Sequence, residues 1–340
     1  MSNSSIAAKS KAVYGSFLKK SDYDSLIQRN SISSVVSYLK ASPRYGAAFS
    51  GIDENTIHRG KLEEILGEFV FRDYIRLRKF GSGKKGSILD FYIRKAETEQ
   101  IIKLIAAVAT GSQQSFFLNF PVYLMDYLSF DPGAAAKCVN FSELAAFLGR
   151  IKVYKPLAEM LSQDKPDINR CIIAANSCYL NWAFSTINRD FKGKKRDMLK
   201  QFLLRKTDAD NVLLCYRLKK YFDEGEERIK ELLLPYHYRV KPADIDNALK
   251  AQRPSDALIA LLEEKCLSKR LDADEKLPEL SCAKADFIYF RHRLALTGDE
   301  TEAIFALLIL ADNERTNLQK IIEGIRYSET PAEIEKLIIC

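Results

Sequence analysis

A helical pattern near the C-terminus recurs twice earlier in the chain, and this repetition limits the folds that the sequence can adopt. Around Asn317, apolar residues recur at steps of three and four, which places them along one face of a helix. Asp299 is a typical residue at the start of such a helix, and Thr330 followed by Pro331 is typical of a second start. The C-terminal region is therefore predicted to form a long helix, a break and a short helix.

Two sequence anchors define the repetition. The first is a polar amide in a long helical stretch, and it recurs at intervals of 111 and 106 residues at Gln100, Asn211 and Asn317. The second is a short apolar helical pattern that ends, at similar intervals, on Leu39, Leu148 and Leu249. Two anchors in one order, three times over, indicate the triplication of a helical unit. Each match alone is also compatible with chance, because amphipathic helices share the same periodicity.

The composition favours an all-α fold. Hydrophobic residues make up 47% and charged residues 29% of the 340 positions, which is typical of a globular protein. Alternating apolar and polar residues, which would indicate strands, are hard to find. The composition thus predicts an all-α protein, and the two repeated anchors predict three similar helical domains around a pseudo-threefold axis. The predicted domains are residues 1–111, 112–222 and 223–340.

The sequence also predicts where individual helices begin. Residues 1–12 are rich in Ser and Lys, so we expect them to be frayed and the first helix to begin at Ala12. Apolar periodicity predicts a long helix over 53–78 and another over 199–222.

Charge and cysteine content narrow the classes of function. Lys and Arg number 52 against 45 Asp and Glu, a net charge of +7 that permits an anionic partner. No nucleic-acid-binding motif accompanies this charge, so we expect no nucleic acid partner. The seven cysteines are odd in number and form no Cys-x-x-Cys pair, which favours a reduced, cytosolic setting. No apolar run reaches the ~18–20 residues that a membrane span needs.

Patterns typical of catalysis, metal binding or cofactor binding are missing. The three histidines are far apart in sequence, and none has a His or Cys neighbour at metal-ligand spacing. Residues 81–86 match Gly-x-Gly-x-x-Gly, but the flanking segments are predicted to be helices, whereas a dinucleotide site follows a strand. We therefore expect a flexible basic turn there, and no catalytic residue, metal or cofactor. A nucleotide-binding enzyme remains an alternative that rests on this loop alone.

Two groups of residues are candidates for contact with partners. The densest basic run lies in a predicted turn between two long helices and consists of Lys192, Lys194, Lys195 and Arg196. Such a run either forms a solvated loop or steers an acidic partner surface into place. The second group is the repeated amide position, where the side chain either bonds a neighbouring helix or contacts a partner.

The C-terminal motif resembles a known family. Residues 314–324, Glu-Arg-Thr-Asn-Leu-Gln-Lys-Ile-Ile-Glu-Gly, are followed by Pro331-Ala-Glu-Ile. This pattern resembles the signature of the central-stalk subunit of V/A-type ATPases, called C in bacterial and archaeal enzymes and d in vacuolar ones. Asn317, Gly324 and Pro331 fall at the signature positions.

Other parts of the chain partly follow the family pattern. Ser42-Pro-Arg-Tyr-Gly resembles the family's Thr-Pro-Tyr-Gly, with an inserted Arg. Two places depart from the repeated pattern. Ala311 and Asp312 stand where the other two repeats have a basic pair, and Gln100 replaces Asn in the first repeat.

The resemblance implies a funnel-like rotor part made of three similar helical domains. It implies a non-catalytic subunit on the cytoplasmic face of the membrane, peripheral and without a membrane span of its own. Its partners would be the membrane proteolipid ring and the subunits of the central shaft, so that torque passes between proton or sodium transport and ATP synthesis or hydrolysis. The alternative is a cytosolic helical-repeat adaptor protein unrelated to an ATPase.

Overall fold

The computed structural model describes residues 3–80, 88–267 and 277–340 of the chain. These residues form 17 α-helices and no β-strand, and the structure is 75% helical, which confirms the all-α prediction. In chain order, the helices are α1 (Asn3–Gly15), α2 (Lys20–Ile27), α3 (Ile32–Ala41), α4 (Arg59–Phe80), α5 (Ile88–Thr110), α6 (Gln113–Leu118), α7 (Pro132–Ala135), α8 (Phe141–Leu148), α9 (Lys155–Leu161), α10 (Ile168–Asp190), α11 (Gly193–Phe222), α12 (Glu226–Glu231), α13 (Pro242–Leu249), α14 (Pro254–Leu262), α15 (Pro278–Leu296), α16 (Glu300–Arg326) and α17 (Pro331–Leu337).

The two C-terminal helices begin where the sequence predicts, because local side chains cap them. The Asp299 carboxylate accepts the N–H of Glu302 at 3.0 Å, before α16. At α17, the Thr330 N–H donates to the Glu333 carboxylate at 2.8 Å, and the Glu333 N–H donates to the Thr330 hydroxyl at 3.3 Å. Such reciprocal bonds satisfy N–H groups that the first helical turn leaves without partners.

The predicted start of the first helix is wrong. Helix α1 begins at Asn3, well before Ala12. Ile6 and Ala7 are buried, and α1 packs along α16 in the same compact unit of the protein. Burial of these apolar side chains against a helix that is distant in sequence stabilises a segment whose own composition favours fraying.

Two further helix starts differ from the prediction. Helix α4 begins at Arg59, because the Asp53 side chain accepts the N–H of Asn55 at 3.0 Å and holds a turn instead. Helix α11 begins at Gly193, ahead of the predicted start at residue 199, so the basic run lies at the helix start.

The chain divides into two compact units. Unit 1 consists of Met1–Leu89 and Ala283–Cys340, and unit 2 of Asp90–Cys282. The boundaries fall within α5 and α15. The division into repeats 1–111, 112–222 and 223–340, and the pseudo-threefold axis, remain predictions.

In unit 1, the first short anchor helix and the last long helix share one core. Val35 and Leu39 of α3 are fully buried in the same cluster as Leu318 and Ile322 of α16. Full burial of one such side chain contributes about 1.5–3 kcal/mol. The N-terminal anchor helix is therefore stabilised by the C-terminal part of the chain.

In unit 2, the second anchor helix packs in a core with the first long helix. Leu144 and Leu148 of α8 lie fully buried in one cluster with Ile101, Leu104 and Ile105 of α5. A short anchor helix thus shares a core with a long helix in both units.

Candidate functional site

A buried carboxylate precedes each of the three aligned amides by three residues. Glu97, Asp208 and Glu314 lie on α5, α11 and α16, and their exposed fractions are 1%, 2% and 2%. Residues three apart share one face of a helix, so each acid and amide face the same way. These acids are absent from the sequence-based candidates. Their spacing is visible in the sequence, but their burial is not.

The first carboxylate cluster surrounds Glu97 in unit 2. The backbone N–H of Ser129 donates to its Oε2 at 2.5 Å, and the Tyr154 hydroxyl donates to its Oε1 at 2.9 Å. Arg94, one turn earlier on α5, pairs with the same carboxylate, and its guanidinium lies 5.3 Å from the ring centre of Trp182. Burial raises the pKa of Tyr154, so its hydroxyl stays protonated and donates. Glu97 therefore holds the Ser129 segment against α5.

The second carboxylate cluster surrounds Asp208, also in unit 2. Three successive backbone N–H groups donate to this carboxylate: Tyr238 at 3.0 Å, Arg239 at 2.6 Å and Val240 at 3.0 Å. Hydrogen bonds to an ionised acceptor are stronger than bonds between neutral groups. Asp208 therefore fixes the backbone that leads into α13.

The third carboxylate cluster surrounds Glu314 in unit 1. The Leu18 N–H donates to Oε1 at 2.7 Å, and Arg44 Nε donates to Oε2 at 2.7 Å. Arg44 Nη2 also lies 3.3 Å from Oδ2 of Asp73. Burial raises the pKa of Glu314, and the guanidinium of Arg44 opposes that shift. Glu314 joins the N-terminal segment to α16.

A buried tyrosine accompanies two of the three carboxylates at the same sequence position. Tyr45 and Tyr154 each lie six residues after an anchor leucine, and both are 0% exposed. Burial, followed by the nearby carboxylate of Glu314, raises the pKa of Tyr45 well above its usual range. The corresponding residue in the last anchor is Ser255, and there three backbone N–H groups bind Asp208.

Two of the aligned amides form paired hydrogen bonds with the backbone of a later segment. The Asn211 side chain donates to the carbonyl of Leu234 at 3.0 Å and accepts its N–H at 2.9 Å. Asn317 does the same with Ile339, at 2.7 and 3.1 Å. In each case a short helix separates the amide from its partner. Carboxylate and amide together hold the backbone that follows α11, whereas the amide alone holds the backbone that follows α16.

The first repeat lacks the paired amide bonds. Gln100 is 6% exposed, yet among the described residues it forms no hydrogen bond to the segment that follows α6. Its side chain is one methylene longer than that of Asn, so the amide cannot occupy the same place relative to the helix backbone.

The remaining motif residues shape the contact between α16 and α17. A Cβ atom on Gly324 would lie 2.5 Å from Cγ1 of Ile334, so only glycine permits this approach. Pro331 is the first residue of α17, where its missing N–H costs no hydrogen bond.

The basic run lies at the start of α11. Lys192 precedes the helix, and Lys194, Lys195 and Arg196 lie in its first turn. Lys192 and Lys194 are exposed, whereas the other two are partly buried, and Arg196 pairs with Asp197 at 3.1 Å. Cations near a helix N-terminus are disfavoured by the helix dipole, by about 0.3–1 kcal/mol each. Helix stability therefore does not explain this cluster.

An exposed apolar surface lies around α6. Residues 111–125 contain no charged side chain, and Leu118 and Val122 are 74% and 61% exposed. The Gln113 side chain donates to the carbonyl of Val139 at 3.4 Å, which places another exposed apolar residue nearby. Clustered apolar exposure of this kind is typical of a contact region.

Two other features bear on the sequence-based alternatives. None of the helices in the described ranges is both long and apolar enough to cross a bilayer. Within the same ranges, His, Cys, Asp and Glu side chains form no group of three or more suited to a metal ion. Residues 81–87, on which the nucleotide-binding alternative rests, lie outside the described residues.

Comparisons with known proteins agree with the resemblance seen in the C-terminal motif. A search of curated proteins gave no match. The family model for the ATP synthase (C/AC39) subunit matches residues 6–337, which is nearly the whole chain. The match includes all three carboxylates and all three aligned amides. The chain therefore belongs to the ATP synthase (C/AC39) subunit family.

Proposed function

We propose that this chain is a non-catalytic rotor subunit of a V/A-type ATPase. In this role it couples the central shaft to the membrane proteolipid ring, so that torque passes between ion transport and ATP synthesis or hydrolysis. The match of the family model to residues 6–337 carries the proposal. The all-α fold supports it.

The buried clusters suit a part that must transmit force. Each carboxylate fixes a loop to a long helix through hydrogen bonds that are shielded from water, and such bonds rigidify a structure. Every one of these carboxylates is bound by donors, so the clusters hold segments in place. We assign them a structural role and assign catalysis to other subunits of the complex.

The basic run is the candidate contact for an acidic surface of the shaft or of the ring's cytoplasmic loops. Its two exposed lysines, Lys192 and Lys194, are accessible to a partner. Exposed charges of this kind steer association more than they hold a complex together. We place the subunit at the cytoplasmic face of the membrane, peripheral to it and between these partners.

Affinity purification from detergent-solubilised membranes tests the assignment. The tagged full chain should bring down a proteolipid together with other rotary ATPase subunits, and a preparation with the tag alone should not. An eluate that contains only cytosolic proteins would instead favour a helical-repeat adaptor. Purified chain should also fail to hydrolyse ATP, and saturable nucleotide binding that is lost on Gly83→Val would contradict the non-catalytic assignment.

A further inference from the structure

The first and third carboxylate clusters obtain their cation from different places. In the first, Arg94 lies three residues before Glu97 on the same helix. In the third, the equivalent position is Ala311, which is buried and uncharged. Arg44, from the segment after α3, supplies the guanidinium to Glu314 instead. The Arg inserted in the Ser42-Pro-Arg-Tyr motif thus compensates for the missing helix cation.

Arg44 is enclosed on several sides. Its side chain is 5% exposed, and its guanidinium lies 4.0 Å from the ring centre of Phe17 and 5.0 Å from that of Phe69. Asp73 of α4 provides a second carboxylate, 3.3 Å from Nη2. Together, two carboxylates and two ring faces compensate for the loss of water around a buried cation.

Glu314 binds both ends of one chain segment. It accepts the N–H of Leu18, just before α2, and the Nε–H of Arg44, just after α3. These partners lie 296 and 270 residues away in sequence, so the contact joins the two ends of the chain within unit 1. The partners of the other two carboxylates lie much closer in sequence, at most 57 residues away.

We propose that the Arg44–Glu314 pair is a closing contact that fixes residues 18–44, with α2 and α3, onto α16. When the pair is broken, this segment opens as a local unit while unit 2 keeps its structure. The inference goes beyond the rotor assignment and does not depend on it, because it concerns only the chain's own contacts.

Hydrogen–deuterium exchange of the full chain, read peptide by peptide, tests the closing contact. Arg44→Met leaves the Glu314 carboxylate buried without its cation, which is the costly way to break a buried pair. Exchange across 18–44 should rise by about tenfold or more, while peptides from 168–190 in unit 2 keep the parent rate. Arg59→Met is the matched control, since Arg59 is also in unit 1 but is 39% exposed, and it should leave 18–44 unchanged.

A double variant separates pairing from general damage. Glu314→Gln removes the buried charge that Arg44→Met leaves unpaired. The double variant, Arg44→Met with Glu314→Gln, should therefore exchange more slowly over 18–44 than Arg44→Met alone. If Arg44→Met does not yield folded protein, Arg44→Gln, which is also uncharged, replaces it in both arms. Parent-like exchange over 18–44, equal rises in both units, or a double variant at least as fast as the single one would overturn the proposal.

Discussion

Replacing Asp208 with Asn should destabilise unit 2 by removing a charge that three backbone groups share. Asp208 is 2% exposed and accepts the N–H groups of residues 238–240 at 3.0, 2.6 and 3.0 Å. The Asn side chain keeps one acceptor oxygen and turns an NH2 group towards the remaining donors. Each buried donor without a partner costs about 1–3 kcal/mol, so one or two of them predict a loss of about 2–4 kcal/mol.

Two measurements report this loss of stability. For a unit of this size, a loss of that order lowers the unfolding temperature by roughly 5–10 °C in calorimetry. Hydrogen exchange at the amides of residues 238–240 reports the local effect, and these amides should lose most of their protection.

Asp210→Asn provides a matched control for Asp208→Asn. Asp210 lies on the same helix, but it is 46% exposed and pairs with the exposed Lys206 at 3.3 Å. An exposed pair contributes about 0–1 kcal/mol, so this variant should unfold close to the parent temperature. If the two variants behave alike, or if the amides at 238–240 stay protected in Asp208→Asn, the structural role of the buried carboxylate is refuted.

Three further predictions follow from the contacts of the C-terminal helices and of α11. Gly324→Ala should cost about 1–3 kcal/mol in thermal unfolding, since its Cβ would meet Ile334, whereas Gly298→Ala, with open space around it, should be neutral or stabilising. The hydrogen bond from the Thr330 N–H lowers the pKa of Glu333, so the Thr330–Glu333 cap stabilises α17 fully above the usual Glu pKa and is lost as the pH falls through the lowered pKa. Hydrogen exchange in α17 should therefore quicken on acidification, and the Glu333→Gln variant should not show this pH dependence. Replacing all four cations of the basic run with Glu should leave the fold intact, slow association with the shaft–ring subcomplex and alter its salt dependence between about 0.05 and 0.3 M. If variant and parent associate at the same rate at both salt concentrations, the run is only a solvated loop.

Local chemistry explains which parts of the fold the sequence predicts. The caps at Asp299 and Thr330 involve partners three residues away, so their signature can be read directly. The all-α class follows from periodicity over many positions. By contrast, α1 is stabilised by packing on α16, which is nearly the whole chain away in sequence. The composition of α1 alone does not predict that contact.

The same distinction applies to the buried clusters. The repeated amides stand out because Asn and Gln recur at one position of an apolar pattern. The acids three residues earlier look like the ordinary charged residues of a helix surface, because their partners are backbone N–H groups of distant segments. Only the fold brings Leu18 to Glu314 or residues 238–240 to Asp208.

For the basic run, the sequence predicts the charge but not the structural position of the residues. Its charge is evident from the sequence, but the start of α11 at Gly193 places three of its cations in a helical turn. Their role in binding a partner remains a prediction.

ATP-driven ion uptake by membrane vesicles tests the rotor assignment most directly. Vesicles prepared from cells that lack this chain should hydrolyse ATP without ion uptake, because the shaft and the ring are not coupled. Adding the purified chain should restore uptake, and heat-denatured chain should not. Equal uptake in vesicles with and without the chain would contradict the account.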